Sequence, residues 1–401
     1  MKPRKPDAIA EIQGEYGAFS ISEHILQRVW ASGEFQQSEL ITEEGRRLEI
    51  VDLGELNRLA GPDFLNVRLK VDGAPVEGDA ELHFYPADWR AHGHDDNPAF
   101  DKVVLHILVF PPKSPLELDR CRVKNTLVFL NLLPQGLENY AEDAAVGALI
   151  DRDEEILEFW TSRSMEERHA LMTEHALRRW KEKVGYARKR IRALDWEAAC
   201  HQTALEILGY RYNRSAMLMA GADYSLPALR NGQYSLEDLY AAGRGRWKLT
   251  GTRPANHPRT RLAQYLDWVR LKPHWPSELQ SMGQGMGRME KGEISRTNRR
   301  KLECAALKKR LSDQITVGTV GGTRSDTLVI DGFLPLLAAR GIDGLFPLWY
   351  YWYPGDMPHS LKGFIRQCGL GGNRDQPYSN GLFQGLLGWT LHCHGRSGKG
   401  V

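Results

Sequence analysis

The spacing of hydrophobic residues changes several times along this chain, and each change marks an element. In ISEHILQRVW the apolar residues Ile21, Ile25, Leu26, Val29 and Trp30 share one face at helical spacing, with Ser22 placed to cap the start and Ser32-Gly33 to stop it. SELITEEGRRLEIVDLG alternates about the Glu44-Gly45 turn, as a hairpin does. FLNVRLKV alternates again through Phe64, Val67, Leu69 and Val71, a DGAP turn follows, and DAELHFY is a short strand. PADWRAHGHDDNPAF is polar and partly helical, with Pro86 and Ala87 leading into Asp88 as its cap. VVLHILVF is a continuous apolar run with β-branched residues, the pattern of a strand buried on both faces, and TLVFLNLLP adds another strand.

This order predicts an α/β (α+β) domain over residues 19–140, a mixed sheet flanked by helices, after a loosely held arm over residues 1–18. From 141 to 401 the texture is mainly helical, as in HALRRWKEKVGYARKRIRAL and DWEAACHQTALEILGY. Turn-rich GRGRWKLTGTRPANHPRTR and SMGQGMGRMEKGE interrupt it, so this region has room for two subdomains. No internal repeat of convincing period is present.

Composition narrows the class without naming a partner. Hydrophobic residues at 42% and charged residues at 26% of 401 describe a soluble globular protein. With 53 basic and 51 acidic residues the formal charge is +2, so a nucleic-acid surface must come from local clustering. Cys121, Cys200, Cys304, Cys368 and Cys393 are scattered and form no C-x-x-C pair, which argues for a reducing compartment and against a cysteine-built zinc site. The start, MKPRKPDAIAEIQGEYG, lacks the apolar core of a signal peptide, and no run approaches the roughly 18 apolar residues of a membrane span. The expectation is a cytoplasmic protein without a membrane segment.

The densest chemistry lies between Gly61 and Ile107. Asp63 stands at the start of one expected strand, and Glu81 and His83 stand on the next. Residues two apart on a strand share a face, so Glu81 and His83 project together while Leu82 turns to the core. If the strands are antiparallel neighbours, the start of the first lies beside the end of the second, and the three side chains converge. Carboxylates suit Mg²⁺, which polarises a phosphate, and a neutral imidazole serves as base or ligand. His92 and His94 diverge on a helix, whereas a loop at Gly93 lets them share an ion. His106, in an apolar strand, is either a core histidine bonded to a neighbour or a group behind His83 or Asp88. Such a set of imidazoles and carboxylates also suits Zn²⁺ or Mn²⁺.

Pro62-Asp63 followed on the adjoining strand by Glu81-Leu82-His83, after a helix and a hairpin, resembles the PD-(D/E)XK nuclease superfamily over roughly residues 20–135. The resemblance implies that Asp63 and Glu81 bind Mg²⁺ or Mn²⁺. It also implies that His83 stands where a lysine orients or activates the attacking water, and that Glu23 matches an accessory acid. The whole chain resembles a family of uncharacterised bacterial proteins through Trp30, GPDF, Glu81-Leu82-His83, Asp88-Trp89 with HGH, Leu105-His106, LGYRYN, TRPANHPRTRL and QGLLGWTLHCHG. That likeness implies a nuclease-like domain fused to a helical region and supplies no activity. At the C-terminal end only His392-Cys393-His394 offers metal-binding side chains, and no zinc site is expected there.

Basic residues cluster in three places. RRWKEKVGYARKRIR carries Arg178, Arg179, Lys181, Lys183, Arg188, Lys189, Arg190 and Arg192. TRPANHPRTR carries Arg253, His257, Arg259 and Arg261, and SRTNRRKLECAALKKR carries Arg296, Arg299, Arg300, Lys301, Lys308, Lys309 and Arg310. Each is either a phosphate-backbone platform or a solvated helix face. FPLWYYWYPGDMP is either a base-stacking surface or a packed core helix. Together these features predict a metal-dependent phosphodiesterase of nuclease type acting on DNA or RNA. The alternatives are a nuclease-derived binding module without catalysis and a zinc-type hydrolase of a small molecule.

Overall fold

The computed structural model describes residues 9–14, 17–119, 122–151, 153–210, 212–249, 252–286, 299–355, 357, 359–372 and 377–394. Residues 1–8, Cys121 and Arg296 lie outside it. The chain divides into two compact units, one containing Ser20–Ala141 and the other Glu142 onward. The arm expected before residue 19 is different: β1 (Ile9–Gly14) and β2 (Gly17–Ser22) pair as a two-stranded sheet.

In the N-terminal unit α1 (Glu23–Ser32) begins after Ser22 and ends at Gly33, which takes the left-handed conformation (φ 68°) expected of a helix stop. Leu26, Val29 and Trp30 form its buried face. Trp30 stacks on Phe35 at 4.9 Å and meets Phe129 edge-on at 5.7 Å, and its indole N–H donates to the Leu53 carbonyl.

The sheet contains β3 (Leu40–Ile41), β4 (Arg47–Asp52), β5 (Glu55–Leu56), β6 (Phe64–Val71), β7 (Ala74–His83), β8 (Val103–Leu108) and β9 (Thr126–Val128). Its order is β3-β4-β6-β7-β8-β9, with β5 also pairing β6. The expected hairpin between residues 38 and 54 is the β3–β4 pair. Asp72 and Gly73 both have positive φ (52° and 85°), a two-residue turn whose twist matches antiparallel strands, and it joins β6 to β7. A bulge in β6 leaves Asn66 left-handed, its N–H taken up by the Asp79 carboxylate at 3.1 Å.

β8 runs parallel to β7, so the chain must cross over between them. The crossover holds α2 (Asp88–Ala91) and a 3₁₀ turn (Pro98–Phe100) and leaves β7 at its carboxyl end. At Gly78 the strands approach so closely that a Cβ would lie 2.4 Å from the Lys102 carbonyl oxygen. After β8 come α3 (Pro115–Asp119) and the parallel strand β9. The mixed sheet with helices is therefore as expected.

The second unit is helical: α4 (Leu137–Asp151), begun in the first unit, α5 (Asp153–Thr161), α6 (Met165–Leu194), α7 (Trp196–Leu208) and shorter helices to His394. A reciprocal capping box between Ser164 and Glu167 starts α6. Its core gathers Trp268, Trp275, Trp349 and Trp352, each fully buried. The aromatic run is thus core, with Trp349 and Tyr350 on a short helix (Phe346–Tyr351), and not a stacking surface. Among the described residues no helix is long and apolar enough to cross a membrane.

Candidate metal centre

β7 ends in Glu81-Leu82-His83, and all three side chains are fully buried. Glu81 and His83 share a face by strand alternation, and His106 on β8 is the register partner of Glu81, so it joins them on that face. Antiparallel pairing brings Asp63 alongside. Glu81 Oε2 accepts the N–H of Asp63 at 2.8 Å, and Asp63 Oδ2 accepts the N–H of Leu82 at 3.0 Å. Each carboxylate thus ties down the other's strand.

The second oxygen of Glu81 faces the histidines. Oε1 lies 3.2 Å from His94 Nε2 and 3.5 Å from His83 Nε2, and His83 Nε2 lies 3.1 Å from His92 Nδ1. His83, His92 and His94 each offer a nitrogen within 4.8 Å of the others. The loop geometry required of His92-Gly93-His94 is present: His92 closes α2, Gly93 is left-handed (φ 71°), and His94 N–H donates to the Trp89 carbonyl. Trp89 and Phe100 wall the group. Phe100 stacks on His94 at 3.8 Å, and Trp89 makes T-shaped contacts with His83, His94 and His106. His92 is exposed, so the cluster opens to solvent through that side chain.

His94 carries the strongest signal. It is 4% exposed, and neither ring nitrogen has a hydrogen-bond partner; its approach to Glu81 is not aligned as one. Burying an imidazole with both nitrogens unbonded costs free energy that a ligand would offset. The spacing suits an ion. Tetrahedral bonds of about 2.0–2.1 Å place neighbouring donors roughly 3.3 Å apart; the 3.1 Å between His83 Nε2 and His92 Nδ1 is close to that value, and the His94 donor lies within 4.8 Å of both. His106 lies behind, its Nε2 2.9 Å from His83 Nδ1. Burial pushes its pKa down to about 4 against the opposing pull of Glu81.

A family model described as "Protein of unknown function (DUF2851)" matches residues 23–242. The chain belongs to the DUF2851 family. The matched span of DUF2851 contains every residue of the cluster. No curated protein and no solved structure matches the chain.

Other expected site residues fall elsewhere. Asp88 sits in the first turn of α2, with Ala87 at the cap position, and its carboxylate accepts the Tyr85 N–H. Glu23 is buried in the first turn of α1, a helix that packs on β7. Several expected phosphate-binding residues are internal, which corrects the platform. Arg179 pairs with Glu142 and Gln384, Lys183 with Asp331, and Arg190 with Glu206. Their helical spacing puts them on the buried face of α6, where charges persist only when paired.

Arg261 is buried against Asn256 and Gln264, Arg259 grips Glu237 with two bonds, and Arg299 donates to the Tyr351 and Tyr378 carbonyls. Lys308 and Lys309 pair with Asp326 and Asp313. Arg178, paired with Glu182, and Lys181, Arg188, Lys189 and Arg192 remain on the outer face of α6. Arg253, Arg300, Lys301 and Arg310 are also exposed. Sequence reasoning missed the aromatic wall; the only sign of it was two aromatics flanking HGH in an otherwise polar segment.

Proposed function

We propose that the N-terminal unit is a metal-dependent hydrolase of phosphodiester bonds, with His83, His92 and His94 as the ligands of its ion. The observation that carries this reading is the buried His94 imidazole, without hydrogen bonds, beside two other imidazoles and the Glu81 carboxylate. Three nitrogens favour Zn²⁺ or Mn²⁺ over Mg²⁺, which prefers oxygen. A bound divalent ion supplies Lewis acidity to the scissile group and to water. Glu81 Oε1 accepts the proton of the attacking water, while its Oε2 stays fixed by the Asp63 N–H. Substrate enters on the exposed His92 side. Support for a phosphodiester comes from the acids at adjoining strand ends, the feature behind the nuclease resemblance, with DNA or RNA as the polymer.

The internal pairing of Arg179, Lys183, Arg190, Arg261 and Arg299 favours a second reading, hydrolysis of a small molecule at the same centre. The test is cleavage of labelled DNA and RNA oligonucleotides and of a small phosphodiester with Zn²⁺, Mn²⁺, Mg²⁺ or chelator, wild type beside His94→Ala. Metal-dependent cleavage lost in the variant supports the site. Cleavage of the small substrate alone selects the second reading. Salt-sensitive oligonucleotide binding without cleavage, unaffected by His94→Ala, would make the unit a binding module.

A further inference from the structure

We infer that His106 is a positioning residue that fixes the tautomer of His83, so that His83 Nε2 presents its lone pair to a metal ion; this rests on the metal-centre reading above. His83 is approached from both ends of its ring. Nδ1 meets His106 Nε2 at 2.9 Å, while Nε2 meets His92 Nδ1 at 3.1 Å and Glu81 Oε1 at 3.5 Å. The His92 and Glu81 side is where the other donors gather, so Nε2 is the atom that faces the ion.

A neutral imidazole carries one proton, and a lone pair at Nε2 puts that proton on Nδ1. His83 then donates to His106 Nε2, and His106 acts as the acceptor. The opposite arrangement, with His106 donating, leaves the His83 proton on Nε2 and blocks coordination. One proton between two rings therefore decides whether His83 can serve as a ligand.

The fold holds His106 to this task. It is fully buried in the middle of β8, its N–H bonded to the Asn125 carbonyl and its side chain on the face shared with Glu81 and His83. The Trp89 and His106 ring centres lie 5.3 Å apart in a T-shaped contact. Outer partners of this kind typically change metal affinity by about 10–100-fold when lost.

The experiment has two arms. Zinc affinity is measured by competition with a chromophoric chelator for wild type, His106→Gln and His106→Leu, with circular dichroism as a check on folding. Glutamine keeps an acceptor oxygen and leucine does not. The expected result is zinc affinity in His106→Gln within about threefold of wild type and a fall of about 10–100-fold in His106→Leu. The second arm records histidine ¹⁵N shifts of zinc-loaded wild type, with the His83 proton expected on Nδ1; it needs no variant and holds if His106→Leu fails to fold. A proton on Nε2, or equal affinity in a folded His106→Leu, would overturn the role of His106 alone. Wild type that binds no zinc would overturn the metal centre itself.

Discussion

Asp63 and Glu81 hold each other by backbone bonds, and this separates their roles by substitution. Asp63→Ala leaves the buried Leu82 N–H without its acceptor, an expected cost of about 1–3 kcal/mol in urea unfolding. Asp63→Asn keeps an acceptor oxygen, so its stability and zinc affinity should remain near wild type; a large loss of metal in Asp63→Asn would make Asp63 a ligand after all. At this scale the sequence was partly legible. Strand alternation placed Glu81 and His83 together and antiparallel pairing brought Asp63 beside them. The return of His94 to Glu81 was not legible, because it depends on the sign of one φ angle at Gly93, which glycine adopts on either side.

That angle belongs to an element, the crossover between β7 and β8. A Cβ at Gly93 meets nothing within 4 Å, so Gly93→Ala tests backbone conformation without steric interference. It should cost about 1 kcal/mol in stability and weaken zinc binding more than an exposed alanine substitution such as Asp96→Ala; equal zinc affinity would show that the turn does not set the ligand geometry. The elements read best from sequence were those with a long period: α1, the β6–β7 hairpin and buried β8. The two-residue strands β3 and β5 carry too little pattern to be read alone and exist through pairing with β4 and β6. The wide helical turn over Leu328–Phe333 is equally silent in the pattern; it precedes Pro335, whose ring cannot sit against the carbonyl of Asp331 in a regular helix.

At the scale of the molecule, charge was the hardest property to read. Near-neutral totals hid a second unit whose core uses basic residues in buried pairs, and helix phase alone separates Arg179, Lys183 and Arg190 from the exposed Lys181, Arg188, Lys189 and Arg192. If nucleic acid is the partner, Arg188→Glu with Lys189→Glu should weaken binding across all sequences and flatten its salt dependence; unchanged filter-binding curves would remove α6 from the interface.

The same core gives the second unit a pH dependence. Burial pushes His201 down to about 4, while its ring bonds the Tyr265 hydroxyl at 2.6 Å and the Tyr224 carbonyl at 2.9 Å. The fold therefore favours neutral His201, and that stability is present above pH 6.5 and lost as pH falls toward 4. Glu206 is opposed by burial but held low by the guanidiniums of Arg214 and Arg190, so its contribution is lost as pH falls below the ordinary carboxylate value of 4.5. Urea midpoints should decline from pH 7 to pH 5, and less steeply in His201→Gln.

An ion held by three imidazoles has a scattering signature of its own. X-ray absorption at the zinc edge tests it most directly, on wild type and His94→Ala loaded with one equivalent of Zn²⁺ and passed through a desalting column. The expected result is retained zinc with scattering from three imidazoles in wild type, and loss of zinc or scattering from two in the variant. Zinc that washes out of wild type, or an imidazole count that His94→Ala leaves unchanged, would contradict it.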